Sequence, residues 1–534
     1  MDDRPITSSW KEFSENLIDI PTVGISLDLS KMRTSPEDVE KENSLFSKAL
    51  QAMQELERGA IANPDENRQV GHYWLRDPEL APSVEQKEAI DQALADIKRL
   101  SSSIHSGSLQ GSGGTFTNVL LVGIGGSALG PQLLHQALTL DSGDKMAFSF
   151  LDNTDPVGIA QVLQSLDHCL GTTLTVVVSK SGGTKETRNG MLAAMHAYEA
   201  KGLKFSEHAV AVTGAGSQLD QFAESNNWIA RLPMWDWVGG RTSVTSAVGL
   251  LPLALQGVDI DSFLNGAAAM DKATRESDGA KNPAVQMGVC WAIAGNAAGE
   301  KRLVSLPYRD RLGLLAKYLQ QLVMESLGKR KDRNGEDVFQ GLTVLGNKGS
   351  TDQHAYVQQL RDGSNDFFVT FIESLDEEGV DTLEVEPEVR IGDYLAGFYL
   401  GTRKALAEAG RESMTITLDT VSPFSIGALI ALFERTVGLY AERVNINAYD
   451  QPGVEAGKKA AQATIELQKQ VLAYLKGHEG QMFHVEHLAK ELDQTAEIET
   501  IYKILRRVAR NPAQNLAAVA ERSPAEAQFG YQST

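Results

Sequence analysis

From about residue 116 the chain alternates short apolar runs with longer amphipathic stretches, and this rhythm restricts the fold more than any other feature. Asn118–Val122, Met146–Leu151, Leu174–Val178 and Ala209–Thr213 read as strands buried on both faces, with helix-like stretches such as Pro131–Leu140 and Lys185–Ala200 between them. Such alternation predicts a doubly wound α/β sheet. The rhythm returns after 300. Arg302–Pro307, Phe367–Glu373 and Met414–Asp419 read as strands, and Arg311–Leu327, Ile391–Ala409 and Ser425–Arg443 as helices. Two α/β domains are expected, as 534 residues, too many for one hydrophobic core, also require.

The ends differ from this middle. Residues 1–100 read as a charged helical extension, with apolar spacing at Glu37–Arg58 and Ser83–Leu100 and a stop near Gly59. The Ser/Gly-rich loop Ser101–Gly114 marks a boundary. The expected division is then 1–100, a first α/β domain at 101–300, a second at 301–465, and a helical tail at 466–534. In that tail Glu491–Arg510 has helical spacing, and the last dozen residues are expected to be loose.

A formal charge of −20 disfavours nucleic acid and anionic membranes as partners. It also repels an anionic metabolite at long range, so any phosphate site must be built locally. Two cysteines, Cys169 and Cys290, exclude a disulfide framework and a multi-cysteine zinc site. No stretch reads as the roughly 18 apolar residues of a membrane span. The polar start MDDRPITSSWKEF lacks the apolar core of a signal peptide, so the cytoplasm is the expected location.

Six short segments carry chemistry-bearing residues. Gly123-Ile-Gly-Gly126-Ser127-Ala128 comes after a strand and opens a helix. That pattern fits an empty tight turn, a dinucleotide fingerprint with Asp152 as its acid, or an anion cradle. Ser179-Lys180-Ser181-Gly-Gly-Thr184 succeeds the strand Leu174–Val178, with Glu186 just beyond. Three hydroxyls, one ammonium and flexible backbone at a helix start suit a phosphate monoester, and the spacing is not that of a Walker loop. Arg241 stands after Gly239-Gly240 and is a permanent cation able to stabilise negative charge on oxygen. Glu325 closes the helix Arg311–Leu327, beside its apolar stripe and at the negative end of the dipole, which suits a general base. His354, in the polar turn Gly349–Tyr356, is a candidate proton shuttle. Asn447–Lys459 places Gln451 in a turn and Lys458 one turn into the next helix.

Taken together these segments resemble the phosphoglucose isomerase family. The matching stretches are GIGGSALGP at 123–131, SKSGGTKET at 179–187, GGRTSVTSAVGL at 239–250, ESLGK at 325–329, GSTDQHAYVQ at 349–358 and GLYAERVNINAYDQPGVEAGKK at 438–459. The resemblance implies two flavodoxin-like sugar-isomerase (SIS) domains, each a mostly parallel sheet sandwiched by helices. It implies interconversion of glucose 6-phosphate and fructose 6-phosphate through a cis-enediolate, with no metal and no organic cofactor. Gly126, Ser127, Ser179, Lys180, Ser181 and Thr184 would hold the phosphate, and Gln451 would contact the sugar. Glu325 would move the proton between C2 and C1, Arg241 would stabilise the enediolate, and His354 and Lys458 would open the ring. Glu186 would orient His354. The family's homodimer, with the histidine supplied across the interface, is a further implication. A non-catalytic sugar-phosphate sensor on the same domains is the alternative; it would keep the loop Ser179–Thr184 without needing the acid–base groups.

Overall fold

The computed structural model describes residues 4–139, 143–380, 383–519 and 523–532. Five parallel strands form one sheet, in the spatial order Ala230–Pro233, Ala209–Thr213, Thr173–Ser179, Asn118–Val122, Ala147–Leu151. Counted along the chain, this is the flavodoxin-like winding, in which the order reverses between the first and third strands. Here those are Asn118–Val122 and Thr173–Ser179, and ligands bind beyond the carboxyl ends of strands at such a reversal. Two of the six candidate segments begin at those two strand ends.

The second sheet repeats the winding with Val344–Gly346, Arg302–Pro307, Phe367–Ser374 and Ser413–Leu418, all parallel. Ile25–Lys31 then pairs antiparallel with Ser413–Leu418, and Leu17–Ile20 pairs with Ile25–Lys31. Residues 17–31 therefore depart from the helical extension expected of them. Ile25, Leu27 and Leu29 alternate with Ser26, Asp28 and Ser30, the period-2 pattern of a strand; the three apolar side chains are buried on one face, and on the other Asp28 is buried too, paired with Arg403. The expected helices behind them stand at Pro36–Glu57 and Val84–His105.

Helix Pro423–Arg443 is long and apolar enough to cross a membrane, contrary to the expectation that no such stretch exists, but 94% of its apolar 18-residue window is buried. It packs against Ile260–Ala273, Pro283–Ala294 and Pro36–Glu57. Midway along it, Glu434 and Arg435 enter a buried ion network. Arg435 lies 3.0 Å from Asp271, pairs with Glu57, and stacks 3.9 Å over the Tyr73 ring. Arg76 bridges Asp271 at 2.8 Å and pairs with Glu434, while Arg275 holds Glu57 at 2.9 Å.

Arg311–Leu327, expected as one helix, is broken into a 3-10 turn Asp310–Leu312, a short α-helix Leu315–Leu319 and a π-turn Gln320–Glu325. A π-turn widens the helix by one residue per turn and rotates the side chains beyond it; such turns concentrate at functional sites. This one ends on Glu325.

These elements belong to one compact unit, Met1–Asp450, and a second unit comprises Gln451–Thr534. The second contains helix Pro452–Gly477, strand Phe483–His484, helices Val485–Glu491 and Ile498–Val508, and strands Leu516–Val519 and Gln528–Tyr531. The stretch Glu491–Arg510, expected as one helix, breaks at 492–497. Part of the last dozen residues, expected to be loose, is the central strand of a three-stranded antiparallel sheet.

Candidate active site

The first glycine loop ends in Gly125, at φ +58°, and helix Gly126–Ala137 starts at the next residue. A Cβ on Gly126 would lie 2.0 Å from the Gly240 carbonyl oxygen, so the two backbones are in contact there. This joins the Gly123–Ser127 loop to the loop carrying Arg241. Ser127, half-buried, sits in the first turn of that helix. Asp152, the acid a dinucleotide site would need, instead accepts a hydrogen bond from Gln132 at 2.8 Å. Gly126→Ala must push the loops apart, at about 1–3 kcal/mol. A KM raised about tenfold, together with a lower melting point, is expected; an unchanged KM would show that the loops act separately.

In the second loop the hydroxyls shape the backbone first. Ser179 Oγ accepts from the Gly182 N–H at 3.1 Å and Ser181 Oγ from the Gly183 N–H at 3.2 Å. Each still carries a hydroxyl hydrogen to donate. Gly182 takes φ +68°, and a Cβ there would meet the Leu219 nitrogen at 2.2 Å. Thr184 occupies the N-cap of helix Lys185–Ala200 without making a capping bond. The helix thus offers its positive end and first-turn N–H groups beside a threonine hydroxyl. Glu186 lies half-buried in that first turn.

Lys180 does something the sequence did not indicate. Its Nζ donates to the carbonyls of Asp236 at 3.0 Å and Val238 at 3.1 Å, tying the hydroxyl loop to the segment that leads into Arg241. Burial pulls its pKa below the ordinary lysine value.

Arg241 is buried, and its guanidinium donates to the carbonyls of Ala448 at 3.1 Å and Asp450 at 2.9 Å. Its Nε stands 3.4 Å from Glu325 Oε2, and Gln321 Nε2 donates to the same oxygen at 3.2 Å. The structure thus brings together two residues 84 positions apart, a carboxylate and a guanidinium, in a partly dry setting.

Lys329 is a member of this site that sequence reasoning overlooked. Its backbone opens the strand pair Lys329–Lys331 with Asp337–Gln340, so the helix pattern ends there. Its ammonium caps the Glu325 carbonyl at 2.7 Å, and it also donates to the Asp450 carbonyl at 3.1 Å, 3.4 Å from that residue's carboxylate. Burial, then the Arg241 charge, lowers the Lys329 pKa to about 8, while burial raises that of Asp450. The available signal was a lysine four residues beyond the candidate base, directly after a glycine. Asn447 fixes the same strand of carbonyls from behind, through Asn63 at 3.0 Å and Asp65 at 2.6 Å.

His354 closes the 3-10 turn Thr351–His354 and is exposed. No described contact joins it to Glu186. Gln451 and Lys458 belong to the second unit, Gln451 at the N-cap of helix Pro452–Gly477 and Lys458 within its second turn. Among the described residues no cluster of His, Cys, Asp and Glu could hold a metal ion. A cavity of about 720 Å³ lined by Arg99, Asp220 and Arg231 contains none of the site residues named above.

Comparison with known proteins fits this arrangement. The profile of the phosphoglucose isomerase family matches residues 28–407 and 400–480. A glucose-6-phosphate isomerase from Geotalea daltonii is 53% identical over 97% of this chain and 98% of its own. One from Thermosynechococcus vestitus is 52% identical over 98% of this chain and 99% of its own. The crystal structure of a glucose-6-phosphate isomerase from Chlamydia trachomatis superposes with a TM-score of 0.79 at 26% identity, covering 86% of this chain and 92% of that one.

Proposed function

This chain belongs to the phosphoglucose isomerase family, and from that premise we propose that it interconverts glucose 6-phosphate and fructose 6-phosphate, in glycolysis and gluconeogenesis. The observation that carries this reading is the meeting of Arg241 Nε and Glu325 Oε2 at 3.4 Å, beside loops built at the sheet's reversal point. An aldose–ketose exchange needs a base for the C2 proton and a cation for the enediolate oxygen. That pair supplies both.

Each group has its own role. Ser127, Ser179, Ser181, Thr184 and the N–H groups around Gly126 receive the phosphate. Lys180 braces their loop and adds positive charge near it. The ring opens when one group protonates the ring oxygen and another takes the C1 hydroxyl proton, roles given to His354 and Lys458. Glu325 then lifts the proton from C2, Arg241 stabilises the charge on oxygen, and Glu325 returns the proton to C1. Gln451 contacts the sugar. No step transfers electrons to another molecule, so the chemistry needs no redox cofactor, and Arg241 takes the charge-stabilising part that a metal ion would otherwise play.

The working form is a homodimer, with His354 supplied across the interface. Helix Ile391–Glu408 exposes Ile391, Tyr394 and Phe398 on one side, an apolar face fit for burial, and His354 itself lies at the surface. Two free cysteines, Cys169 and Cys290, are in keeping with a cytoplasmic protein. Fructose 6-phosphate turnover, monitored by coupled detection of glucose 6-phosphate, is expected to persist in EDTA without added nucleotide. Loss of activity in EDTA that returns only with metal would sink the mechanism.

A further inference from the structure

The family match ends at residue 480, and the isomerase chemistry gives no task to residues 481–534. From Pro452 the second unit runs helix, strand, helix, helix, strand, strand, and its sheet is ordered first, third, second, all antiparallel. That is the winged-helix arrangement, a helix-turn-helix pair closed by a small sheet. Val485–Glu491 is the first helix of the pair and Ile498–Val508 the second, the position that enters a groove in DNA-binding members of this class. The unit has its own core: Leu467, Val471 and Leu475 pack with Leu488, Leu505 and Phe529.

Helix Ile498–Val508 is sharply divided. Ile501, Ile504, Leu505 and Val508 are buried, at the spacing of one helix face. Lys503, Arg506 and Arg507 are exposed on the other side, and Arg510, in the turn just past the helix, is exposed as well. Lys503 pairs with Glu499, and Arg507 donates to Gln468 at 3.0 Å. Arg506 and Arg510 have no side-chain partner among the described residues. The charge of −20 that disfavours nucleic acid does not arise here. Residues 451–534 hold ten Lys and Arg against ten Asp and Glu, so the first 450 residues carry the whole excess.

We propose that this unit docks double-stranded nucleic acid, with Arg506, Arg507 and Arg510 on the phosphate backbone. Glu497 and Glu499, at the start of the same helix, would repel phosphate and offer little to base edges beyond cytosine, so contact is to the backbone and sequence-independent. Three phosphate contacts give a logarithmic salt slope of about −2.7.

The test is fluorescence anisotropy of a short labelled DNA duplex titrated with the full-length protein across a range of salt. Binding that weakens with that slope is expected. Arg506→Glu combined with Arg510→Glu should weaken binding at least about tenfold and flatten the slope by about two, with kcat and KM for fructose 6-phosphate unchanged. No anisotropy change at low salt with about 100 µM protein would overturn the proposal. So would binding that ignores the charge reversal, or a single strand binding as well as the duplex. An unchanged far-UV circular dichroism spectrum and thermal melt show that the variant's second unit is folded, retained isomerase activity shows the same of the first, and failure here leaves the isomerase reading untouched.

Discussion

Glu325→Gln is expected to lower kcat by about 10²–10⁴-fold while leaving KM nearly unchanged. The amide keeps the size of the side chain and can still accept from Gln321 Nε2, which stands 3.2 Å from Oε2 in the native arrangement. It cannot take a proton from carbon. Exchange of the C2 proton with solvent should therefore stop, and affinity for a phosphorylated sugar-acid inhibitor should stay within about threefold, which is under 1 kcal/mol. Inhibitor affinity falling in step with kcat would instead make Glu325 a structural partner of Arg241. The distinction is sharp because the two groups are only 3.4 Å apart.

Arg435→Met should produce the largest loss of stability, about 3–5 kcal/mol, seen as a lower urea midpoint. Methionine fills the volume but leaves Asp271 and Glu57 with one cation each, Arg76 and Arg275. It also removes the cation from the Tyr73 ring. A pH signature separates this from simple repacking. Burial raises the Glu57 pKa, but Arg435 and Arg275 outweigh it and hold the value below the ordinary 4.5. A depressed carboxylate pKa contributes stability that is present above 4.5 and lost as pH falls through the folded value. The variant should therefore be less stable at neutral pH and lose less of its remaining stability on acidification. Equal acid sensitivity in the two proteins would place the effect in packing rather than charge.

Much of the α/β middle was legible because its signals are local. Strands Asn118–Val122, Ala209–Thr213 and Arg302–Pro307 fall where apolar runs predict them, as does helix Lys185–Ala200. Strand Val344–Gly346, three residues at a sheet edge, is too short to have a period. The break in Arg311–Leu327 has no sequence mark, since a π-turn changes hydrogen-bond partners and leaves the apolar spacing almost intact. The site divides in the same way. Ser179, Thr184 and Arg241 stand out through neighbouring glycines and hydroxyls. Lys329 does not, because its importance lies in reaching the carbonyls of Glu325 and Asp450, the latter 121 residues away in the chain. Lys180 was legible as the cation of the hydroxyl loop; its hold on Asp236 and Val238 was not.

The strand Ile25–Lys31 has a consequence during synthesis. Its partner, Ser413–Leu418, leaves the ribosome almost four hundred residues later. At about 5–20 residues per second, the nascent N-terminus waits roughly 20–80 s before that edge exists. For that interval Ile25, Leu27 and Leu29 have no sheet to cover them. Premature termination anywhere before Ser413 releases a chain whose first hairpin, Leu17–Ile20 with Ile25–Lys31, keeps one open, sticky edge. Translation speed and chaperone capture at the N-terminus therefore bear on the yield of folded enzyme, although the chemistry lies far along the chain.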